Sequence, residues 1–513
     1  MRTRISLFTL LVPSLGAAIS CAAISSFGAG CSGGSVHAAS DGGAEAGPRD
    51  ARADAKSDAG PAKRVDARGR TCDLPVDAKG PAGWDVITDY SCTCPLYSPS
   101  DEILAREPPE PLRWRPCPEP GPQGIGCQQL VPESLDGTPV VYAAYQNGAF
   151  AIDGSSGKPL LAVGRATRRD SVSDFLVGEV DGRVRRLVRN PTPITAASRM
   201  VDCAATDLTT NGVAAVLSLV GDNSPNERTD TGVAGFVGWT DHGNVRASNV
   251  RWTTEIGFGT SGVYGDWLLS YSAGGVVTGE SLSTGEQVSM ISPSAQPDGK
   301  PHILIPAGRT MFFEVGDGGI ATIYSWTPEA GLRPFLRTAA DGRPADRDRG
   351  DGMIATDGRE IVWTHAEQVE PGHLYTYAKR DLMVAPFTAD RAQLRPRRLR
   401  ADPRTGFAPA KTSAVGCGFH ATSGASAAGD GSTSDLFVTR LSDGRAWWIR
   451  GNAGTRCDAT SCDSFEWGNV LGIACEPGKP PEIFARGSVR NDLSTVLRVP
   501  IDLTKLGPGL PAD

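Results

Sequence analysis

Residues 267–291 read WLLSYSAGGVVTGESLSTGEQVSMI, and no other stretch of the chain says as much about its structure. Three short apolar runs are separated by turn segments that contain glycine. Runs of about five residues between such turns predict short antiparallel strands. A similar order of runs and turns recurs at 311–336, 361–396 and 435–449. The copies repeat every 40–60 residues or so, which is typical of repeat folds built from four-stranded units.

The same alternation extends from about residue 138 to 505, where no helical period is sustained. The sequence therefore predicts an all-β fold, and the repeat favours a β-propeller over a sandwich or barrel. We expect about seven blades, although six or eight are also compatible with the pattern. The expected blades are at about 138–200, 201–250, 252–292, 302–337, 352–400, 412–450 and 466–503.

Within each copy, a first strand, a second strand, a turn such as Ser283-Thr284-Gly285 and a further strand follow one another. This order resembles that of TolB-like and quinoprotein-like β-propellers. The resemblance covers residues 138–505 in pattern only. The WD dipeptide is missing, and Ser442-Asp443-Gly444 lacks the spacer residue of the sialidase Asp-box. The resemblance therefore implies a propeller and no particular ligand.

The N-terminus has the plan of a bacterial export signal. Two arginines are followed by an uncharged stretch, 5–30, and then by Cys31 in a glycine-rich segment. Small residues before a cysteine resemble the lipobox of bacterial lipoproteins, whose thiol carries the lipid. We therefore expect a signal peptide at 1–30 and lipid on Cys31, with Cys21 as the alternative. Ordinary cleavage after Ala38, giving a soluble secreted protein, and an uncleaved membrane anchor are the other possibilities.

Cysteine parity favours Cys31 over Cys21. Of the twelve cysteines, loss of residues 1–30 and lipidation of Cys31 leave ten, an even number that can pair completely. In an exported protein we expect disulfides between Cys117 and Cys127 and between Cys457 and Cys462, which close short loops. Cys417 and Cys475 are expected to join neighbouring blades. Buried free thiols are the alternative.

Two segments precede the expected propeller. Residues 31–70 are rich in Ala, Gly and Asp and have almost no large apolar residues, so we expect a disordered tether. Residues 71–137 are rich in Cys and Pro and are expected to form a disulfide-stapled wrapping segment. Residues 506–513 are expected to be a C-terminal tail.

Composition narrows the possible partners. The net charge is −7 with acidic and basic residues interspersed, which argues against a nucleic-acid partner. A membrane is expected to be reached only through the N-terminal lipid. The expected partner is an envelope protein or glycan, and no cofactor is expected.

Candidate chemistry is sparse. His365, Glu367, Glu370 and His373 fall in Trp363–His373, which we interpret as a long loop. Imidazole and carboxylate groups can bind a divalent metal, but the spacing is not that of a known motif, so a solvated polar loop is favoured.

The sequence thus predicts an exported, lipid-anchored propeller that binds or scaffolds at the cell envelope. The alternative is a hydrolase or lyase acting on extracellular glycans or peptides at the channel mouth. That alternative requires His365, His420 or the acidic residues of 346–351 to converge.

Overall fold

The structure is a computed structural model of the chain. It describes residues 63–65, 71–75, 84–88, 96–99, 112–117, 124–131, 134–135, 138–143, 150–152, 157–167, 174–182, 184–188, 201–209, 213–220, 231–238, 250–253, 262–271, 276–281, 284–292, 294, 301–317, 320–336, 349–368, 377–402, 413–425, 434–450, 466–488 and 494–512. All of these residues belong to one compact unit, Gly60–Asp513.

Nearly all of the described secondary structure is strand. The strands are β1 (Lys63–Val65), β2 (Thr71–Pro75), β3 (Trp84–Thr88), β4 (Leu96–Pro99), β5 (Trp114–Pro116), β6 (Gln128–Leu130), β7 (Ser134–Leu135), β8 (Thr138–Ala143), β9 (Phe150–Ile152), β10 (Pro159–Thr167), β11 (Asp174–Glu179), β12 (Val184–Val188), β13 (Val201–Thr209), β14 (Val213–Val220), β15 (Thr231–Gly238), β16 (Val250–Thr253), β17 (Gly262–Tyr264), β18 (Trp267–Tyr271), β19 (Val277–Ser281), β20 (Gln287–Ile291), β21 (Pro301–Ala307), β22 (Thr310–Asp317), β23 (Ile320–Thr327), β24 (Gly331–Leu336), β25 (Arg349–Thr356), β26 (Glu360–Gln368), β27 (Tyr377–Pro386), β28 (Arg397–Ala401), β29 (Ser413–Gly416), β30 (Phe419–Ala425), β31 (Ser434–Arg440), β32 (Ala446–Ile449), β33 (Glu466–Ala474), β34 (Glu482–Ser488) and β35 (Ser494–Pro500). A 3₁₀ helix spans Arg391–Gln393, and one short helix, α1, spans Leu503–Leu506.

Consecutive strands pair antiparallel and form sheets in chain order. Strands β13–β16, β17–β20 and β29–β32 each make a four-stranded sheet, and β21–β28 make one eight-stranded sheet. The other sheets are β3-β4-β12-β11-β10-β8-β7 with β9 on β10, β33-β34-β35-β6-β5, and the pair β1-β2.

These sheets are arranged as a β-propeller. Strand β9 contacts β13, and the contacts continue from β13 to β17, β21, β25, β29 and β33 before returning to β9. A closed circle of first strands is the defining feature of this fold, because each sheet then packs its faces against its two neighbours. The predicted all-β propeller is therefore confirmed.

The number of sheets differs from the prediction. Among the described residues, six sheets have four or more strands, whereas the sequence favoured seven blades and also allowed six or eight. The expected blades at 302–337 and 352–400 form a single sheet because Ala321 on β23 pairs with Asp351 on β25. A pairing between two strands through one pair of residues cannot be recognised from the local sequence of either strand.

The Cys- and Pro-rich segment closes the ring. Strand β6 pairs with β35, so a strand from before the repeats completes the sheet formed by the end of the chain. Arg498 on β35 donates from Nε to Oε1 of Gln128 at 2.7 Å and lies over the ring of Trp114 at 4.6 Å. At the other end of this segment, β4 pairs with β12. The segment thus contributes strands to two of the propeller sheets.

Two of the expected disulfides are present. Cys117–Cys127 joins the ends of β5 and β6, and Cys417–Cys475 joins the β29–β30 turn to the residue after β33. The second disulfide links neighbouring sheets across 58 residues of chain. Cys21, Cys31, Cys457 and Cys462 lie outside the described residues.

Residues of the expected tether and of the expected C-terminal tail pair with strands. Strand β1 lies within the expected tether and pairs with β2 across its boundary. In the expected tail, Leu510 exchanges two backbone hydrogen bonds with Ala446 of β32, at 3.0 and 2.7 Å. Trp447 Nε1 donates to the Gly507 carbonyl at 3.0 Å. The end of the chain therefore covers the edge of the β29–β32 sheet.

Candidate functional site

A cavity of about 360 Å³ lies where the β21–β24 half of the eight-stranded sheet meets the β25–β28 half. Its walls come from β24, β26, β27 and the connection between β27 and β28. The lining residues are Phe335, Leu336, Trp363, His365, Met383, Arg391, Leu394 and Pro396.

Strand periodicity puts the cavity's polar and apolar groups on one face. Trp363 and His365 are two residues apart on β26, so both side chains project to the same side of the sheet. On β27, Met383 is opposite Trp363 and Asp381 is opposite His365. Trp363 is buried and His365 is half-buried. The apolar end of this face therefore belongs to the core, and its polar end reaches the cavity.

The rim of the cavity is held by a compact turn after β27. Asp390 accepts from the backbone N–H of Ala392 at 2.9 Å and so caps the 3₁₀ helix. Arg395 donates to the carbonyls of Ala392 and Leu394 at 2.8 and 3.0 Å. These bonds fix Arg391, at the start of the helix, beside the cavity.

The segment from 391 to 400 is strongly basic. It reads RAQLRPRRLR and holds five arginines and no acidic residue. Arg398 donates to Asp381 at 2.8 Å, while Arg400 donates to the Gly444 carbonyl at 3.0 Å. None of the described cavity-lining residues is acidic. The cavity therefore combines apolar walls with a cationic rim.

A buried carboxyl group faces the same interface between sheet halves. Glu314 on β22 pairs with Ile323 on β23, and Ile323 pairs with the cavity residue Leu336 on β24. Glu314 is only 5% exposed, and its Oε2 has no hydrogen-bond partner. Burial raises the pKa of this carboxyl from 4.5 to about 7.

The candidate metal ligands His365, Glu367, Glu370 and His373 are only partly within the described structure. His365 is on β26 and lines the cavity, so the interpretation of Trp363–His373 as a long loop is wrong from Trp363 to Gln368. The side chain of Glu367 and the whole of Glu370 and His373 lie outside the described residues. In the part of the chain that is described, no group of three or more His, Cys, Asp or Glu is arranged to hold a metal ion.

The two histidines considered for catalysis are separate. His365 lines the cavity, whereas His420 on β30 is fully buried, pairs with Val415 and Thr439, and is not part of the lining. Of the acidic residues in 346–351, Asp346 and Asp348 lie outside the described residues, whereas Asp351 on β25 pairs with His365 on β26.

Sequence reasoning missed Arg391, Leu394 and Pro396. These residues belong to a connection that carries no motif, and only the excess of arginine at 391–400 singles it out. The apolar wall contributed by β24 could be found only by knowing how the two sheet halves pack.

Comparison with known proteins concerns the fold alone. No protein-family model and no curated protein matches the chain significantly. The β-propeller domain of the trilobed protease from Pyrococcus furiosus is 9% identical, with a TM-score of 0.39, over 69% of this chain and 96% of that one. BamB from Moraxella catarrhalis is 13% identical, with a TM-score of 0.33, over 72% and 99%.

A prolyl endopeptidase is 12% identical, with a TM-score of 0.38, over 78% of this chain. The chain spans 53% of the length of that protein. Among the described residues, no helix is long and apolar enough to cross a membrane.

Proposed function

We propose that this protein is exported, anchored by lipid on Cys31, and acts as a binding protein at the bacterial cell envelope. The single observation that carries the binding role is the cavity's lining. Aromatic, aliphatic and cationic side chains suit recognition. Hydrolysis of a glycan usually needs a pair of carboxyl groups, and none of the described lining residues has one.

The construction of the ring also supports a binding role. A strand from before the repeats, an inter-sheet disulfide and the docked C-terminal residues all stabilise the closed ring. When a ligand binds to a site on a rigid scaffold, the protein loses little conformational entropy, and more of the interaction energy contributes to affinity.

The anchor is tested by metabolic labelling with a fatty acid. We expect label on the wild type and on Cys21→Ser, and none on Cys31→Ser. Label that survives Cys31→Ser, or a wild type without label, would overturn the assignment of Cys31.

The binding role is tested by site-specific photo-crosslinking in cells. A benzoylphenylalanine at Gln393, which is exposed beside Arg391, is compared with one at Lys505, which is exposed on α1. We expect a discrete crosslinked product from Gln393 that is absent from Lys505 and is abolished by Pro396→Trp, which fills the cavity mouth. Identical products at both positions, or none at Gln393, would contradict binding at this cavity.

A further inference from the structure

The volume of the cavity falls within the range of small-molecule sites. Its volume, about 360 Å³, is near the lower end of the range for such pockets, roughly 300–1,000 Å³. A group the size of one or two rings fits this space, whereas a folded partner can reach it only with a protruding side chain or chain end.

The inner walls select an apolar body. Phe335 is fully buried, and Trp363 and Leu336 are 3% and 6% exposed. Phe335 therefore has no surface open to a ligand, and the apolar surface within reach comes mainly from half-buried Met383 and exposed Pro396. An aromatic or branched aliphatic group gains free energy there by leaving water.

The rim selects a negative charge. Arg391 is exposed at the cavity, and His365 is half-buried in its wall. Both side chains have other interactions within the protein. A guanidinium group has five N–H donors, so Arg391 can keep one partner and still donate to a ligand. His365 is opposite an aspartate on each neighbouring strand, Asp351 on β25 and Asp381 on β27, and Asp381 already accepts from Arg398.

We propose that this cavity binds a small apolar anion, namely an aromatic or branched aliphatic group that carries one carboxylate. The apolar body packs against Met383 and Pro396, and the carboxylate accepts hydrogen bonds from Arg391 at the rim. A cationic ligand would meet the basic segment 391–400 and be repelled. The inference rests on the proposed binding role and names the ligand class for that site.

Two fluorescent probes of one scaffold test the charge preference on the purified full chain. 8-Anilinonaphthalene-1-sulfonate is an apolar anion, and N-phenyl-1-naphthylamine is its neutral counterpart. We expect saturable binding of the anion at one site per chain and weaker binding of the neutral probe. Pro396→Trp should abolish both, since it fills the cavity mouth without changing the core.

Substitutions of single arginines then test whether Arg391 binds the negative charge of the probe. Arg391→Gln should lower the affinity for the anionic probe about tenfold, because a hydrogen bond to a charged group is lost. The affinity for the neutral probe should not change. The matched control is Arg359→Gln, which removes an exposed arginine from the turn before β26. Equal affinity for both probes, or equal effects of the two substitutions, would overturn the proposal.

Displacement of the anionic probe distinguishes the natural sources of a carboxylate. N-acetyl-L-tryptophan should displace it, and N-acetyl-L-tryptophanamide should not. A peptide ending in tryptophan with a free carboxylate should compete as well if the ligand is a chain end, and should fail if it is a free acid. If neither acid competes, the carboxylate assignment is wrong. A Gln393 crosslink obtained in cells would still support the binding role.

Discussion

Replacing Glu314 by glutamine should make the protein's stability much less dependent on pH. Glu314 is buried on β22, and its Oε2 lacks a hydrogen-bond partner. An ionised carboxylate there has lost its hydration without gaining a compensating partner, which is why burial raises its pKa from 4.5 to about 7. The group therefore stays protonated in the folded protein at pH values where the unfolded chain has already ionised it.

The size and sign of the effect follow from proton linkage. Because the folded-state pKa is the higher one, the stability associated with the protonated group is complete below pH 4.5 and is lost as the pH rises to about 7. Each pKa unit corresponds to about 1.4 kcal/mol, so the full loss is on the order of 3 kcal/mol. Glutamine has nearly the same volume and does not ionise, so Glu314→Gln should remove this loss.

The measurement is the free energy of unfolding from guanidinium titrations at pH 5, 6, 7 and 8. The difference between Glu314→Gln and the wild type should grow in favour of the variant by about 2.5 kcal/mol from pH 5 to pH 8, because part of the loss has already occurred at pH 5. The glutamine amide can add an offset of its own, but that offset does not change with pH. Glu329→Gln, at an exposed turn position, is the control. Parallel pH profiles for Glu314→Gln and the wild type would refute the reasoning.

Three further predictions concern closure of the ring. Cys417→Ala with Cys475→Ala should lower the free energy of unfolding by about 4 kcal/mol, as expected for a 58-residue separation, and reductant should then have a smaller effect than on the wild type. Gly472→Ala should lower the free energy of unfolding by about 1–3 kcal/mol, because the added Cβ would lie 2.1 Å from the ring of Phe150. Phe150→Leu should restore part of that stability in the double variant. If the two substitutions instead destabilise the protein additively, this contact is contradicted. Deletion of 507–513 uncovers the edge of β32 and should increase concentration-dependent aggregation in light scattering, and unchanged scattering would show that this edge is protected without the tail.

The repeat could be predicted because its determinants are local. In residues 267–291, the apolar runs and glycine turns correspond to β18, β19 and β20. Alternation within β19 buries Val277, Gly279 and Ser281 and exposes Thr278, as expected for a strand packed on one face. Strand formation and antiparallel pairing between neighbours are properties of such short windows.

Closure of the ring and the cavity depend on distant pairs. Leu497 pairs with Gln129, and nothing in either local sequence identifies the other. The cysteine pair 417 and 475 could be proposed because both positions occupy the same place in successive repeats. His365 was noticed as a candidate ligand, but its true surroundings include Leu336 from the other half of the sheet. Such contacts depend on how the sheets pack together, which the local sequence pattern does not predict.

The contacts that close the ring and the cavity belong to different sheets. In the described chain, the inter-sheet disulfide, the β6–β35 pairing and the docked C-terminal residues all belong to the two sheets that end the chain. The interface with the cavity is joined by the Ala321–Asp351 pairing and by an apolar core that includes Phe312 and Trp363. A ligand that fills this cavity adds contacts to both halves of the sheet, so its binding free energy also stabilises the folded ring. Saturating N-acetyl-L-tryptophan should therefore raise the unfolding temperature of the wild type but not that of Pro396→Trp, and an equal rise in both would show that the acid binds elsewhere.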